Sequence, residues 1–170
     1  MKSTGIIRKV DELGRVVIPK EMRRILNIKT GSSIEMFINN DNQVVLKKFS
    51  ELSNIMMFAE NLCEVIFENF NLVCLISDDE KILVSKGVNQ KLFSQKSFEI
   101  SSDKNKEYFL ENSFKVDNQK VNFDFVYVFP IIFEGYNSGN IFLLSQVEVD
   151  VQVLKNIVIL KKFLSNLLKF

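Results

Sequence analysis

The first 50 residues pack four short strand-like runs and one short helical stretch into too little chain to enclose a core. Ile6-Ile7-Arg8-Lys9-Val10 leads into the turn Asp11-Glu12-Leu13-Gly14, and the β-branched run Arg15-Val16-Val17-Ile18 follows. Gly14 supplies the positive φ at the end of that turn. Pro19 suits the first helical position, where its missing N–H costs nothing, and Glu21 sits favourably in the first turn. Met22, Ile25 and Leu26 recur as one apolar helix face, with Lys20, Arg23 and Arg24 largely off it, and Asn27 closes the helix in a left-handed conformation. Ser33–Ile38 and Gln43–Lys48 read as two further strands around the turn Asn39–Asn42. A unit this small is marginal without staples or partners. No disulfide or metal is at hand, so oligomerisation is the expected remedy. A twofold dimer would present the same surface twice about one axis.

Charge follows the same division. All four arginines, Arg8, Arg15, Arg23 and Arg24, lie within the first 24 of 170 residues, and lysine is the only strong base thereafter. Arginine differs from lysine in its planar fork, which holds a phosphate or a guanine edge through two hydrogen bonds. Residues 1–50 carry a balance of +5 and residues 51–170 a balance of −4, so the formal +1 of the whole chain conceals a basic head on an acidic body. That asymmetry points the head toward nucleic acid or another anionic surface. Lys9 is a lone strand lysine, and Lys47 and Lys48 read as edge protection.

The inventory of reactive groups excludes much chemistry. The chain has no histidine, which removes Ser-His-Asp and Cys-His nucleophiles and most zinc sites. Cys63 and Cys74 are too few for a disulfide framework and read as small buried hydrophobes, with a redox pair as the alternative. No catalytic, cofactor or metal residues are assigned, and no enzyme is expected. The start Met1-Lys2-Ser3 leaves no room for a signal peptide, and Lys155, Lys161 and Lys162 interrupt the most apolar stretch, so a cytoplasmic protein without a membrane span is expected.

The run from Gly5 to Leu26, and within it Leu13-Gly14-Arg15-Val16-Val17-Ile18-Pro19, resembles the N-terminal domain of AbrB-type transition-state regulators. In that family two chains interleave hairpins into a swapped-hairpin β-barrel that binds DNA. The resemblance implies such an all-β dimeric barrel over residues 1–50, with DNA contacts at Arg8, Lys9, Arg15, Arg23 and Arg24. Asn27 stands where that family commonly has glycine, and Ser32 where it often has aspartate. Arginine–phosphate contacts supply affinity while few groups reach base edges, so modest sequence preference and readout of shape in A·T-rich DNA are expected.

Residues 51–170 read as a second, α+β domain. Ser50 caps a helix through Phe70 whose apolar face includes Leu52, Ala59, Leu62, Cys63 and Ile66, while Glu60, Glu64 and Glu68 line a solvated face. Leu72–Ser77 and Lys81–Ser85 form a hairpin around Asp78-Asp79-Glu80. Lys91-Leu92-Phe93 and Tyr108-Phe109-Leu110 are expected on short helices. A strand over Val121–Phe133, broken near Pro130, pairs with Ile141–Ser145 across a glycine-containing turn. A closing helix from Val149 to Leu168 places Val153, Ile157, Leu160, Leu164 and Leu167 along a seam, with Leu154, Val158, Ile159, Phe163 and Leu168 as surplus apolar surface for a partner chain. This order resembles a GAF-type sensor domain flanked by helices. Together the two resemblances imply a transcriptional regulator of sporulation-type gene expression, a homodimer through residues 1–50 and a homotetramer through the C-terminal helices. The small-molecule effector, if one binds, is not named by any residue cluster. The alternative is an antitoxin built on the same barrel.

Overall fold

The computed structural model describes residues 5–100, 106–111 and 114–169. The start Met1-Lys2-Ser3, which carries the expectation about a leader, lies outside them. The chain divides into two compact units, one ending at Phe49 and one beginning at Ser50.

The first unit contains α1 (Lys20–Ile25) and the antiparallel hairpin β1 (Ile34–Ile38) and β2 (Val44–Lys48), in register from Ile34 opposite Lys48 to Ile38 opposite Val44. Pro19 stands one step earlier than expected, at the N-cap of α1, where its carbonyl accepts from the Arg23 amide at 2.9 Å. Asn27 takes the left-handed conformation, φ 49°. The Ile28 amide then reaches back to the Arg23 carbonyl at 2.7 Å and the Asn27 amide to that of Arg24 at 3.3 Å, the paired closure that usually recruits glycine. The β1–β2 turn is held by Asn39, whose Oδ1 accepts from the amides of Asp41 (3.1 Å) and Gln43 (2.9 Å).

The two strands expected over residues 5–18 do not pair in the single chain. Their turn forms, with Gly14 donating to the Asp11 carbonyl at 2.9 Å and Asp11 to that of Arg15 at 3.0 Å. The flanking residues, however, take part in no sheet. Size explains this. Among the described residues of the unit Pro19 alone is buried, and Ile7, Leu13 and Val17 stand 87%, 74% and 71% exposed. The residues that would pair are apolar, and one copy of so short a unit offers nothing to pack them on.

The second unit runs α2 (Glu51–Asn54), α3 (Met56–Phe70), β3 (Val73–Ser77), β4 (Ile82–Lys86), α4 (Gln90–Phe93), β5 (Phe98–Glu99), β6 (Phe109–Leu110), β7 (Lys115–Val116), β8 (Gln119–Lys120), β9 (Phe125–Phe133), β10 (Tyr136–Ser145) and α5 (Val151–Leu167). An antiparallel sheet of order β4-β3-β10-β9-β6 forms its centre, and β5-β7-β8 makes a small second sheet. Side chains of a strand alternate between faces. Tyr127, Phe129, Ile131, Ile141 and Leu143 therefore join Leu62, Cys63 and Ile66 of α3 and Leu154, Ile157 and Leu164 of α5. Val126, Val128, Phe142 and Leu144 join Phe93, Phe109 and Phe114 on the opposite face. There the Phe142 ring lies 4.9 Å from Phe114 and 5.3 Å from Phe98, so phenylalanines fill that layer.

Several expected elements change shape. The helix over Ser50–Phe70 breaks at Ile55 (φ −111°), and Ser50 makes no capping bond; its hydroxyl is shielded without a partner among the described residues. Phe109 and Leu110 form a strand and not a helix, because they pair with Val128 and Tyr127 at the edge of β9. β9 starts at Phe125 and continues through Pro130, which lies outside the two-pair reach of β6 and next to a bulge at Asn137–Gly139, where a missing N–H is tolerated. β10 starts at Tyr136, because the hairpin turns on two residues, Glu134 and Gly135, both at positive φ (48° and 81°). At Gly139 any side chain would collide with the Ser77 carbonyl oxygen and the Leu52 side chain, so a backbone approach requires glycine there. Asp150 caps α5 by accepting from the Gln152 amide at 2.7 Å. The expected seam of α5 packs within the chain: Ile157 and Leu164 are buried and Val153, Leu160 and Leu167 half-buried, in one cluster with residues of α3 and the sheet. Of the surplus residues Leu154, Val158 and Leu168 are buried as well, leaving Ile159 and Phe163 exposed at 66% and 55%.

Candidate nucleic-acid interface

The five bases singled out in the sequence all fall in the first unit, and none is buried. Arg8 and Lys9 precede the Asp11–Gly14 turn and Arg15 follows it, so one tight turn carries three of them on its two arms. Arg23 and Arg24 sit in the last turn of α1, where cations are favoured by the unsatisfied carbonyls. Among the described residues Lys9 and Arg24 form no ion pair, and Arg8 donates only to the neighbouring Ile7 carbonyl, at 3.3 Å. The Arg23 Nε is shielded from solvent with no hydrogen-bond partner among the described residues. Lys48 is turned to other work, donating to the Asn27 carbonyl at 3.2 Å.

Arg15 is different. Its Nε meets the Asp11 Oδ2 at 2.8 Å, while Asp11 Oδ1 accepts from the Arg15 amide at 2.8 Å and the Leu13 amide at 3.0 Å. The Arg15 amide and guanidinium together hold the Asp11 carboxyl below the usual carboxylate range, with the Leu13 amide adding to the effect. The sequence marks Asp11 only as a turn residue; its spacing of four from Arg15 is the available signal, and it is weak without the turn geometry.

Elsewhere several acidic groups have structural partners. Glu60, Glu64 and Glu68 are exposed along α3, and Glu64 bonds the Lys86 ammonium at 2.9 Å. Asp78 Oδ1 accepts from the amides of Glu80 and Lys81, each at 2.7 Å, which makes that trio a hairpin turn. Cys63 and Cys74 lie with their sulfurs 3.1 Å apart, free thiols fully buried between α3 and β3. Burial pushes the Cys74 thiol well up, disfavouring a thiolate. Among the described residues no group of three potential metal ligands converges, and no helix is long and apolar enough to cross a membrane.

With this geometry in hand, similarity to known proteins places the first unit. The family described as antidote-toxin recognition MazE, bacterial antitoxin, matches residues 7–50. Stage V sporulation protein T of Bacillus subtilis (strain 168) is 40% identical over 97 residues, 57% of this chain and 54% of that protein. An alignment that long extends beyond the first unit into the second. Transition state regulatory protein AbrB of the same organism is 57% identical over 49 residues, 29% of this chain and 50% of that protein. The solved N-terminal DNA recognition domain of AbrB is 55% identical, covering 29% of this chain and 91% of that one, with a TM-score of 0.26. The chain thus spans about half the length of the two curated relatives. Residues 7–50 thus carry a MazE/AbrB-type domain.

Proposed function

We infer that this chain is a DNA-binding transcriptional regulator whose N-terminal unit grips duplex DNA as a homodimer. The observation that carries the reading is the juxtaposition, in one small unit, of every arginine of the chain with an apolar surface that a single copy leaves open. Pairing of two copies as a swapped-hairpin barrel would supply the missing strand partners for residues 5–18 and bury Ile7, Val10, Leu13, Val16 and Val17. It would also duplicate Arg8, Lys9, Arg15, Arg23 and Arg24 about a twofold axis, as a duplex requires. Forked guanidinium groups suit phosphates and a few base edges, which favours shape-dependent recognition of A·T-rich DNA. The relative's printed name supports a sporulation-type setting, and a regulator that binds chromosomal DNA would act in the cytoplasm.

The second unit acts in this reading as a GAF-like assembly and sensory domain. An antiparallel sheet with α3 and α5 on one face and a phenylalanine-filled layer on the other is compatible with that role. Exposed Ile159 and Phe163 on α5 are its surface for joining dimers into a tetramer. An antitoxin is the second reading, favoured by the description of the matching family. Its usual toxin-wrapping tail is flexible, whereas residues 50–170 form a compact unit with two apolar clusters.

Sequencing of DNA co-purified with the full chain tests the main reading. Discrete enriched segments are expected, and their loss in Arg15→Ala with unchanged folding. Equal, unenriched DNA in both preparations would sink it.

A further inference from the structure

We propose that Asp11 is the positioning residue for Arg15, holding its guanidinium by one edge so that the other edge meets DNA as a preset fork. This deepens the DNA-binding reading and rests on it.

A single carboxylate ties down both ends of Arg15. Oδ1 accepts its backbone amide and Oδ2 its Nε, each at 2.8 Å, while the Leu13 amide adds a third bond at 3.0 Å. The Asp11 and Gly14 backbone bonds close the same turn. The side chain is therefore referenced to the turn and not left to swing on it. Engagement through Nε leaves the two terminal Nη groups with no hydrogen bond among the described residues, and the Arg15 side chain remains 70% exposed. Those Nη donors are the pair that a guanine edge or a phosphate accepts side by side.

The bonds from the Leu13 and Arg15 amides serve the turn, but stability does not account for the contact with Nε. An exposed ion pair contributes little to folding, and this one lies in a unit whose described residues bury Pro19 alone. A carboxylate beside the proposed interface also opposes a polyanion. What it provides is order: a long side chain held before binding loses less freedom on binding. The acid further discourages contacts in which Arg15 merely swings onto any phosphate, so its effect falls on discrimination more than on affinity.

The test uses the full chain and a duplex that it enriches from a randomised pool, with a scrambled duplex of the same composition as reference. Asp11→Asn keeps an oxygen to accept the turn amides but loses the charge that faces Nε. The expected result is a fall of about fivefold in the ratio of affinities for the two duplexes, from the freedom returned to one side chain, with scrambled-duplex affinity unchanged or raised. The same substitution in an Arg15→Lys background should leave the ratio where Arg15→Lys alone put it, because lysine has no fork to orient. An equal fall in both backgrounds means that Asp11 acts through the turn alone and overturns the proposal, as does an unchanged ratio in the single variant. Thermal melts of all four proteins separate unfolding from either result: a variant that loses its transition is replaced by Asp11→Ser, judged by the same ratio. A wild-type protein that enriches no duplex sinks the DNA reading itself, and this inference with it; one that enriches a duplex while Asp11→Asn discriminates equally well overturns this inference only.

Discussion

Arg23 and Arg15 illustrate how differently two arginines of one unit are prepared. Arg15 is referenced by Asp11, while the Arg23 Nε is shielded from water and unpartnered among the described residues. A shielded donor without a partner is unfavourable unless something else meets it, and Arg23 sits half-buried in the last turn of α1. A phosphate contact there is expected to register in ionic strength. Arg23→Ala in a dimer removes two such contacts and should flatten the slope of log affinity against log salt by roughly 1.8, about 0.9 for each. Filter-binding or anisotropy titrations across a salt series measure it, and a slope equal to that of the wild type would refute the contact.

The small sheet β5-β7-β8 depends on a polar clasp as well as on Val116 and its phenylalanine neighbours. Asp117, at φ 47° in the β7–β8 turn, accepts from the amide and hydroxyl of Ser97, both at 3.1 Å, and pairs with the Lys96 ammonium at 2.8 Å. The bond from Lys96, followed by those from Ser97, holds its carboxyl below the ordinary value of 3.8. A carboxyl with a depressed folded-state pKa stabilises fully above its unfolded value, and that stabilisation fades as pH falls through the folded one. Thermal melts from about pH 5 down toward pH 2 should therefore show a shallower decline for Asp117→Asn than for the wild type. Parallel declines would mean that the clasp adds nothing to the element it closes.

The whole chain joins a basic unit that buries Pro19 alone among its described residues to an acidic one that encloses two apolar clusters. Fourfold assembly through the second unit would hold two DNA-binding dimers at a set spacing and raise their joint avidity. On α5 the exposed pair Ile159 and Phe163 is the surface to disturb, since Ile157, Val158 and Leu164 already serve the internal core. The double variant Ile159→Glu, Phe163→Glu is expected to sediment as a dimer, with an unchanged circular dichroism spectrum and weaker binding to long DNA. Retention of the wild-type assembly would move the interface elsewhere.

Local chemistry made a good part of this protein legible in its residues. The Asn39–Asn42 and Asp78–Glu80 turns, the left-handed Asn27, the apolar face of α3 and the concentration of arginine all follow from a few neighbouring positions, so they can be read from neighbours. The β6 edge strand, the passage of β9 through Pro130 and the burial of Leu154 and Val158 on α5 could not, because each depends on what lies across the sheet. The same holds for the proposed interface. That the five bases share one unit is written along the chain, but that Asp11 bonds Arg15, and that residues 5–18 find no strand to pair with, emerges only when the backbone closes on itself and the burial available to a single copy runs out.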